Sequence, residues 1–339
     1  MKYRDYLLRR LVLVIPTLFG VITLIFVISR IIPGDPARLA LGPWAKPEQV
    51  QEFRHVLGLD KPIVVQYFDY IIGLFKGDFG LSLTTKRNVL NDLLDFAPAS
   101  FELVTTGMAL AVVIGIPIGV IAGTHKDKWP DHVTRIFALS GVSIPQFWAG
   151  IILQLIFAYG LSLVAPNGRL DINLLPPKHI TGMYTIDSLL TGNWETLRSS
   201  INHLILPAFA LSLASISEFA RMTRSSLVEE LGKDHVLAAR VNRIPEFLVV
   251  YKYALKSSFT PIMTLIGLDY GFLLGNAFLI EMVFLWPGLA RYGVNAIIDK
   301  DFNSMMGVTL VIGIGFVFVN LIIDLLYGYV DPRVRLRAK

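Results

Sequence analysis

The side chains able to do chemistry are sparse in this chain of 339 residues, and they do not assemble into a catalytic set. The histidines, His55, His125, His132, His179, His203 and His235, lack the paired spacing of a zinc site. There is no cysteine, which removes disulfides, thiol ligands and thiol nucleophiles. No Gly-x-x-x-x-Gly-Lys-Ser/Thr run is present to cradle phosphates, and no Ser, His and Asp set stands out. Polar and basic residues gather instead in the stretch from Glu229 to Leu268, mostly before Phe259, and long apolar runs flank them. Two short helices fit the pattern there, Lys233 to Arg240 and Glu246 to Lys256. Asn242 and Pro245 mark the break, and Pro245 cannot continue a helix. A helix-turn-helix displayed at a membrane surface is built to touch a partner. Within the apolar runs, ionisable groups are costly and face a bundle interior or a wet cavity. Asp269 and Asp324 are the two candidates. Asp269, about three turns into its helix, either lines a polar path or makes a structural ion pair, and Asn276 follows on roughly the same side. Gln146, mid-run beside Pro145, must find a partner inside the bundle.

The elements that position these residues are set by composition. The chain is 54% hydrophobic with a mean hydropathy of +0.58, too apolar for a soluble domain of this size. It reads as an all-α integral membrane protein, one domain over residues 1–339. Six runs are long enough to span about 30 Å of hydrocarbon: Leu11 to Ile28, Leu103 to Gly123, Ile136 to Val164, Leu204 to Ala220, Phe259 to Phe284 and Met305 to Leu326. The net charge of +5 does not point to nucleic acid. More than half of the Lys and Arg fall in Met1 to Arg10, Thr124 to Arg135, Arg221 to Ser257 and Asp331 to Lys339. This positive-inside bias places both termini in the cytoplasm, with lipid headgroups as further company for the basic patches. The start, MKYRDYLLRR before a long apolar run with no small-residue cleavage site, is expected to be a retained first span rather than a signal peptide.

Residues 31–99 form an external segment with two short helices, Pro47 to Leu57 and Pro62 to Phe75. The second is amphipathic, with Val64, Tyr67, Phe68, Ile71 and Phe75 suited to the membrane interface. Gly115, Gly119 and Gly123 share one helix face, as do Gly267, Gly271 and Gly275, and both stripes read as packing surfaces. A kink is expected at Pro145-Gln146. Residues 165–200 read as an external loop, either a docking surface or a cover. The fourth run carries Pro207 and leads through Glu218, Arg221 and Arg224 into a cytoplasmic loop, 221–257.

Several motifs together resemble one family. Asp234, Val236, Ala239 and Arg240 match an Asp-Tyr-Val-x-x-Ala-Arg run, followed by Tyr253-Ala254-Leu255 and Pro261. Pro33-Gly34-Asp35-Pro36, Leu57-Gly58-Leu59-Asp60-Lys61-Pro62 with Gln66-Tyr67, Gly77-Asp78-Phe79-Gly80-Leu81-Ser82, Glu281 to Tyr292-Gly293 around Trp286-Pro287-Gly288, and Asp331-Pro332-Arg333 extend the match. The chain thereby resembles the first permease subunit of dipeptide and oligopeptide ABC importers. It departs from the pattern at Arg243, where the family has a glycine, and mildly at Ala290; the family also commonly has an uncharged polar residue at Asp269.

The resemblance implies six membrane-spanning helices, a cytoplasmic coupling helix and short external helices. It implies a second permease forming a heterodimer, two ATPase subunits and an external solute-binding protein in the cell membrane. This chain itself would hold no cofactor, ATP and Mg being bound by the ATPases. The coupling contact would fall on Asp234, His235, Val236, Ala239 and Arg240, flanked by Arg243 and Glu246; otherwise these charges only solvate a cytoplasmic loop. Gln146, Asp269 and Asn276 are the candidates for the translocation path. Peptides are the expected cargo, with oligosaccharides or nickel as alternatives. A different class, an ion-coupled secondary carrier, would show more intramembrane charge and a repeat between halves.

Overall fold

A computed structural model describes residues 3–31, 36–41, 44–56 and 58–330. The Pro33-Gly34-Asp35 and Asp331-Pro332-Arg333 motifs, and the side chain of Asp324, lie outside what is described. The described residues are almost wholly helical. In order they form α1 (Tyr3–Ile31), α2 (Pro36–Leu41), α3 (Pro47–Val56), α4 (Ile63–Phe75), α5 (Val89–Thr124) and α6 (Trp129–Ser143). There follow α7 (Gln146–Leu153, running on as a π-helix to Gly160), α8 (Tyr184–Thr191), α9 (Trp194–Leu231) and α10 (Asp234–Val241). Then come α11 (Glu246–Leu248, joined by a π-helix over Val249–Leu255 to α12, Lys256–Val283), α13 (Leu289–Ile298) and α14 (Phe302–Val330).

Four of these, α5, α9, the continuous α11–α12 run and α14, are long and apolar enough to cross a membrane. The α6–α7 pair makes a fifth candidate, bent by 102° at its break, and α1 carries the apolar stretch Val12–Ile28. The bend falls where a kink was expected, at Pro145-Gln146, but it is a break of the helix rather than a kink within one run. Pro145 lacks an N–H and disfavours helix at Ile144, so the chain turns there instead of continuing. The short helix expected at Glu246 to Lys256 is likewise corrected. It does not end before the apolar run but continues into α12 through a π segment. The loop assigned to 165–200 contains α8 and the first turns of α9, and the 31–99 segment already contains the start of α5.

α9 is the hub, packed against α5, α6, α7, α8 and α12. Asn88 and Asn193 cap α5 and α9 by accepting from the Leu90 and Thr196 N–H groups at 2.9 and 3.2 Å. The α5–α9 seam is close because α5 shows glycine to it. A Cβ at Gly119 would stand 2.5 Å from Thr223 Cβ and 2.6 Å from the Ala220 carbonyl, and one at Gly115 2.7 Å from the Ile216 carbonyl. The second glycine stripe is less uniform: Gly267 and Gly271 face Ile323 and Phe316 of α14, whereas none of the described residues comes within 4 Å of a Cβ at Gly275.

Segment 161–193 is a built cap rather than a slack loop. The buried Arg169 donates to Glu102 of α5 at 2.5 Å and to the Gly182 carbonyl at 3.0 Å, with its guanidinium 3.7 Å from the Tyr184 ring. Asp187 accepts from the N–H groups of Ile180, Thr181 and Gly182 and from the Thr181 hydroxyl. Burial pushes its carboxyl up, but these donors outweigh burial and hold it below the usual range.

The seam makes a direct prediction. Gly119→Ala should lower the thermal midpoint of the purified protein, by about 1–3 kcal/mol of overpacking, while Gly275→Ala leaves it unchanged. Equal midpoints for both variants would mean that α5 and α9 are not in this contact.

Candidate functional site

The polar turn between α9 and α12 is built on a small apolar base. α10 places Val236 and Ala239 inward, where they pack with Val120 of α5, Leu227 of α9 and Val249, Val250 and Ala254 of the π segment. Sequence reasoning had put Val236 and Ala239 among the contact residues. Their relative exposures of 0% and 5% correct this: they seat the helix and cannot reach a partner. Asp234, His235, Arg240, Arg243 and Glu246 are exposed. So is an apolar ridge that the charges hid from sequence reasoning, with Leu237 and Val241 on α10 and Phe247 and Tyr251 beyond the turn, their rings 4.6 Å apart. The available signal was apolar residues four apart inside a polar stretch.

The turn itself has a defined geometry. The Arg243 N–H donates to the Arg240 carbonyl at 2.9 Å and the Ile244 N–H to the Ala239 carbonyl at 3.2 Å. That is a Schellman ending, which wants a left-handed residue at its centre and an apolar contact after it. Arg243 is that residue, with φ of 55°, and Ile244 packs on the base. The position therefore asks for glycine, and arginine meets the same geometry at a steric cost of about 1 kcal/mol. Across the turn Arg240 grips Glu246 with two bonds, 2.6 and 3.2 Å, in solvent where such a pair is worth at most about 1 kcal/mol. The Glu246 carboxylate also holds the Arg240 guanidinium above its ordinary value.

Two clamps flank the turn, and sequence reasoning paired neither. Glu230, nearly buried at the end of α9, accepts from Lys233 at 2.6 Å and stands 3.3 Å from His235. Asp131, fully buried at the start of α6, accepts both arms of Arg224 from α9 at 2.6 and 2.8 Å, with Arg135 at 3.2 Å. Removing Arg224 would strand the buried Asp131 carboxylate, whereas the exposed Lys233 adds little to Glu230.

The three membrane-embedded candidates do not converge. Gln146 donates to the Leu211 carbonyl of α9 at 2.9 Å. Asp269 is buried against α9 near Ser215 and Glu218, and its Oδ2 has no hydrogen-bond partner among the described residues. Asn276 is on the exposed face of α12. The Glu281 to Gly293 motif acquires a reason as well. Glu281 is fully buried at the end of α12 and accepts from Ser100 and from the Arg291 N–H at 2.7 Å, thereby capping α13. A Cβ at Gly288 would collide with that carboxylate, and Trp286 Nε1 donates to the Ala99 carbonyl at 2.9 Å.

The described residues thus form a helical bundle, with four or five helices long and apolar enough to cross a membrane, and a polar helix-turn at one end. Residues 115–336 match the binding-protein-dependent transport system inner membrane component, and residues 3–104 match the N-terminal part of such membrane components. The chain belongs to this family: it is a multi-pass membrane permease subunit of an ABC importer, working with a solute-binding protein and with ATPase activity in separate subunits. It is 42% identical to the probable D,D-dipeptide transport system permease protein DdpB of Escherichia coli, covering 93% of each chain. It is 38% identical to the dipeptide transport system permease protein DppB of Alkalihalophilus pseudofirmus, over 97% of this chain and 99% of that one. It is 35% identical to the glutathione transport system permease protein GsiC of Salmonella typhi, over 98% and 99%.

The strained turn yields a prediction. Arg243→Gly should raise the thermal midpoint, by about 0.5–1 kcal/mol of relieved strain, and Arg243→Val should lower it. A midpoint that falls with glycine would mean the turn is not left-handed at this position.

Proposed function

We propose that the chain is one of two related permease subunits of a peptide importer, and that the two form a heterodimer around the translocation path. Near full-length likeness to permeases named for dipeptide, D,D-dipeptide and glutathione transport carries this reading. In it the chain crosses the membrane six times, through α1, α5, the α6–α7 pair, α9, α12 and α14. Both termini face the cytoplasm, an orientation supported by the clustering of Lys and Arg in the segments that would lie there.

α10 is the coupling helix. Two ATPase subunits, binding ATP and Mg, receive it through Asp234, His235, Arg240, Arg243 and Glu246 together with the ridge of Leu237, Val241 and Phe247. Their closure displaces α10, and the apolar base passes that displacement to the ends of α5, α9 and α12. The bundle then alternates between inward-open and outward-open states. Asn276, on the exposed face of α12, lines the path; Gln146 and the buried Asp269 reach it only as the helices shift between these states, and the substrate arrives on an external solute-binding protein.

Copurification from the native membrane tests the coupling site. The wild-type chain should bring ATPase subunits with it, and both Asp234→Ala/Arg240→Ala and Leu237→Asp/Val241→Asp should lose them while keeping the second permease. Retention of the ATPases by both double variants would remove α10 from the contact. In proteoliposomes holding the whole transporter, Asp269→Asn should slow dipeptide uptake about tenfold, the equivalent of 1.4 kcal/mol, with ATP hydrolysis retained. Unchanged uptake would take Asp269 out of the path, and no dipeptide uptake by the wild type would overturn the peptide assignment itself.

A further inference from the structure

α9 has 38 residues and so runs about 57 Å, nearly twice the hydrocarbon thickness of a membrane. Its C-terminal end leads into the polar turn, and its N-terminal end carries the 161–193 cap. The cap therefore stands on the opposite face of the membrane from α10. Between the cap and α9 lies an open cleft of about 660 Å³. Asp171, Glu195, Arg198 and Asn202 line it, and Ile172 forms part of its rim.

Three features of this cleft are informative. The first is that Ile172 is 99% exposed although its neighbour is fixed: the Asp171 N–H donates to Ser199 Oγ at 3.0 Å, and Ser199 donates back to Asp171 Oδ2 at 2.7 Å. An apolar side chain held out on an ordered backbone loses little entropy when covered, which is the property of an anchor residue. The second is the charge. Two carboxylates and one guanidinium line the cleft, with Leu163, Leu174, Ile201 and Ile205 beside them. Charged side chains do not suit lipid and are depleted from the centres of permanent interfaces, whereas partners that come and go meet mixed surfaces of this kind. The third is the cap's attachment. Arg169 ties it to Glu102 of α5, and Ser199 ties it to α9. A load on the cap thus falls on the two helices whose other ends seat α10.

We propose that this cleft, with Ile172 as the protruding anchor, is the docking surface for the system's solute-binding protein. It would receive a loop of that protein carrying a basic side chain against Asp171 and Glu195. The assignment uses the orientation given above, with α10 cytoplasmic, and is independent of what the binding protein carries.

The test uses the complete transporter, this chain with its second permease and both ATPase subunits, in lipid nanodiscs with the purified binding protein of the same system. ATP hydrolysis is followed as binding protein is added. Ile172→Asp and Glu195→Lys should each raise the half-saturating concentration of binding protein about tenfold, as loss of an anchor or a charge partner does. The rate at saturation should hold. Lys178→Glu, exposed on the cap and outside the cleft, should behave as wild type. Thermal midpoints of all variants check that the cap stays folded. Half-saturation unchanged in both cleft variants overturns the proposal. Loss of the second permease on purification also overturns it, since the face would then belong to the permease pair. Because stimulation is read with the system's own binding protein, failure of the peptide reading leaves this result intact.

Discussion

The close approach of α5 and α9 is the constraint on which the rest of the structure depends. Both helices are longer than a membrane is thick, at 36 and 38 residues. Their seam therefore continues into the segments on either side. Glycine at 115 and 119 removes the side chains that would hold the backbones apart, and dispersion between two close surfaces replaces the hydrophobic driving force that lipid cannot supply. Everything functional is then attached to the ends of this pair. At one end Val120 and Leu227 make the floor for α10. At the other, Glu102 and Ser199 hold the cap.

Buried carboxylates do the joining, and most of them follow one rule. Each is closed by donors brought from elsewhere in the chain, so that desolvation is offset locally. Glu281 takes the open end of α13. Asp301 accepts from the Ser82 hydroxyl at 2.6 Å and the Leu83 N–H at 2.8 Å, and it caps α14 through Ser304. This is the reason the Gly-Asp-Phe-Gly-Leu-Ser motif stands so far from its partner in sequence. Asp92 binds the Thr85 and Tyr292 hydroxyls, and Asp131 binds Arg224. Asp269 departs from the rule. Its Oδ2 has no hydrogen-bond partner among the described residues; Asp92 Oδ1 has none either, but Arg87 stands 3.3 Å from that oxygen, whereas no described ion pair includes Asp269.

What the sequence made legible, and what it did not, divides along physical lines. Periodicity and breakers act locally, so the helix-turn at Lys233 to Lys256, the short helices near Pro47 and Pro62 and the glycine face of α5 could all be read from neighbouring residues. The far partners could not. Nothing local tells Glu281 that it will meet Ser100, or Asp131 that it will meet Arg224. Burial was equally hidden at α10, because Val236 and Leu237 are both apolar and only tertiary packing turns one in and leaves the other out. The join of α11 to α12 was missed for a related reason: Pro245 correctly predicted a start, but no residue after it stops the helix, which sequence reasoning ended at Lys256 ahead of the apolar run from Phe259. α8 and α13 were lost inside stretches whose Pro and Gly content resembled loop.

The turn at Arg243 shows how a motif can survive the loss of its most telling residue. The Schellman bonds fix the backbone, and glycine is merely the side chain that meets φ of 55° without strain. Arginine tolerates the same angle because its surroundings over-determine it. Ile244 is pinned on the apolar base, Asn242 donates to the Ala238 carbonyl at 2.8 Å, and the Arg240–Glu246 grip closes the turn from outside. A strained residue held by three independent contacts moves with them. α10, the turn and the start of α11 are thus one body, and the first irregularity in the helical ladder beyond it is the π-helical joint from Val249 to Leu255. The joint is anchored by Val249, Val250 and Ala254 on one side and exposes Tyr251 and Lys252 on the other. A displacement of α10 would therefore reach α12 at a place where the helical ladder is already loosened, and α5 and α9 where it is not.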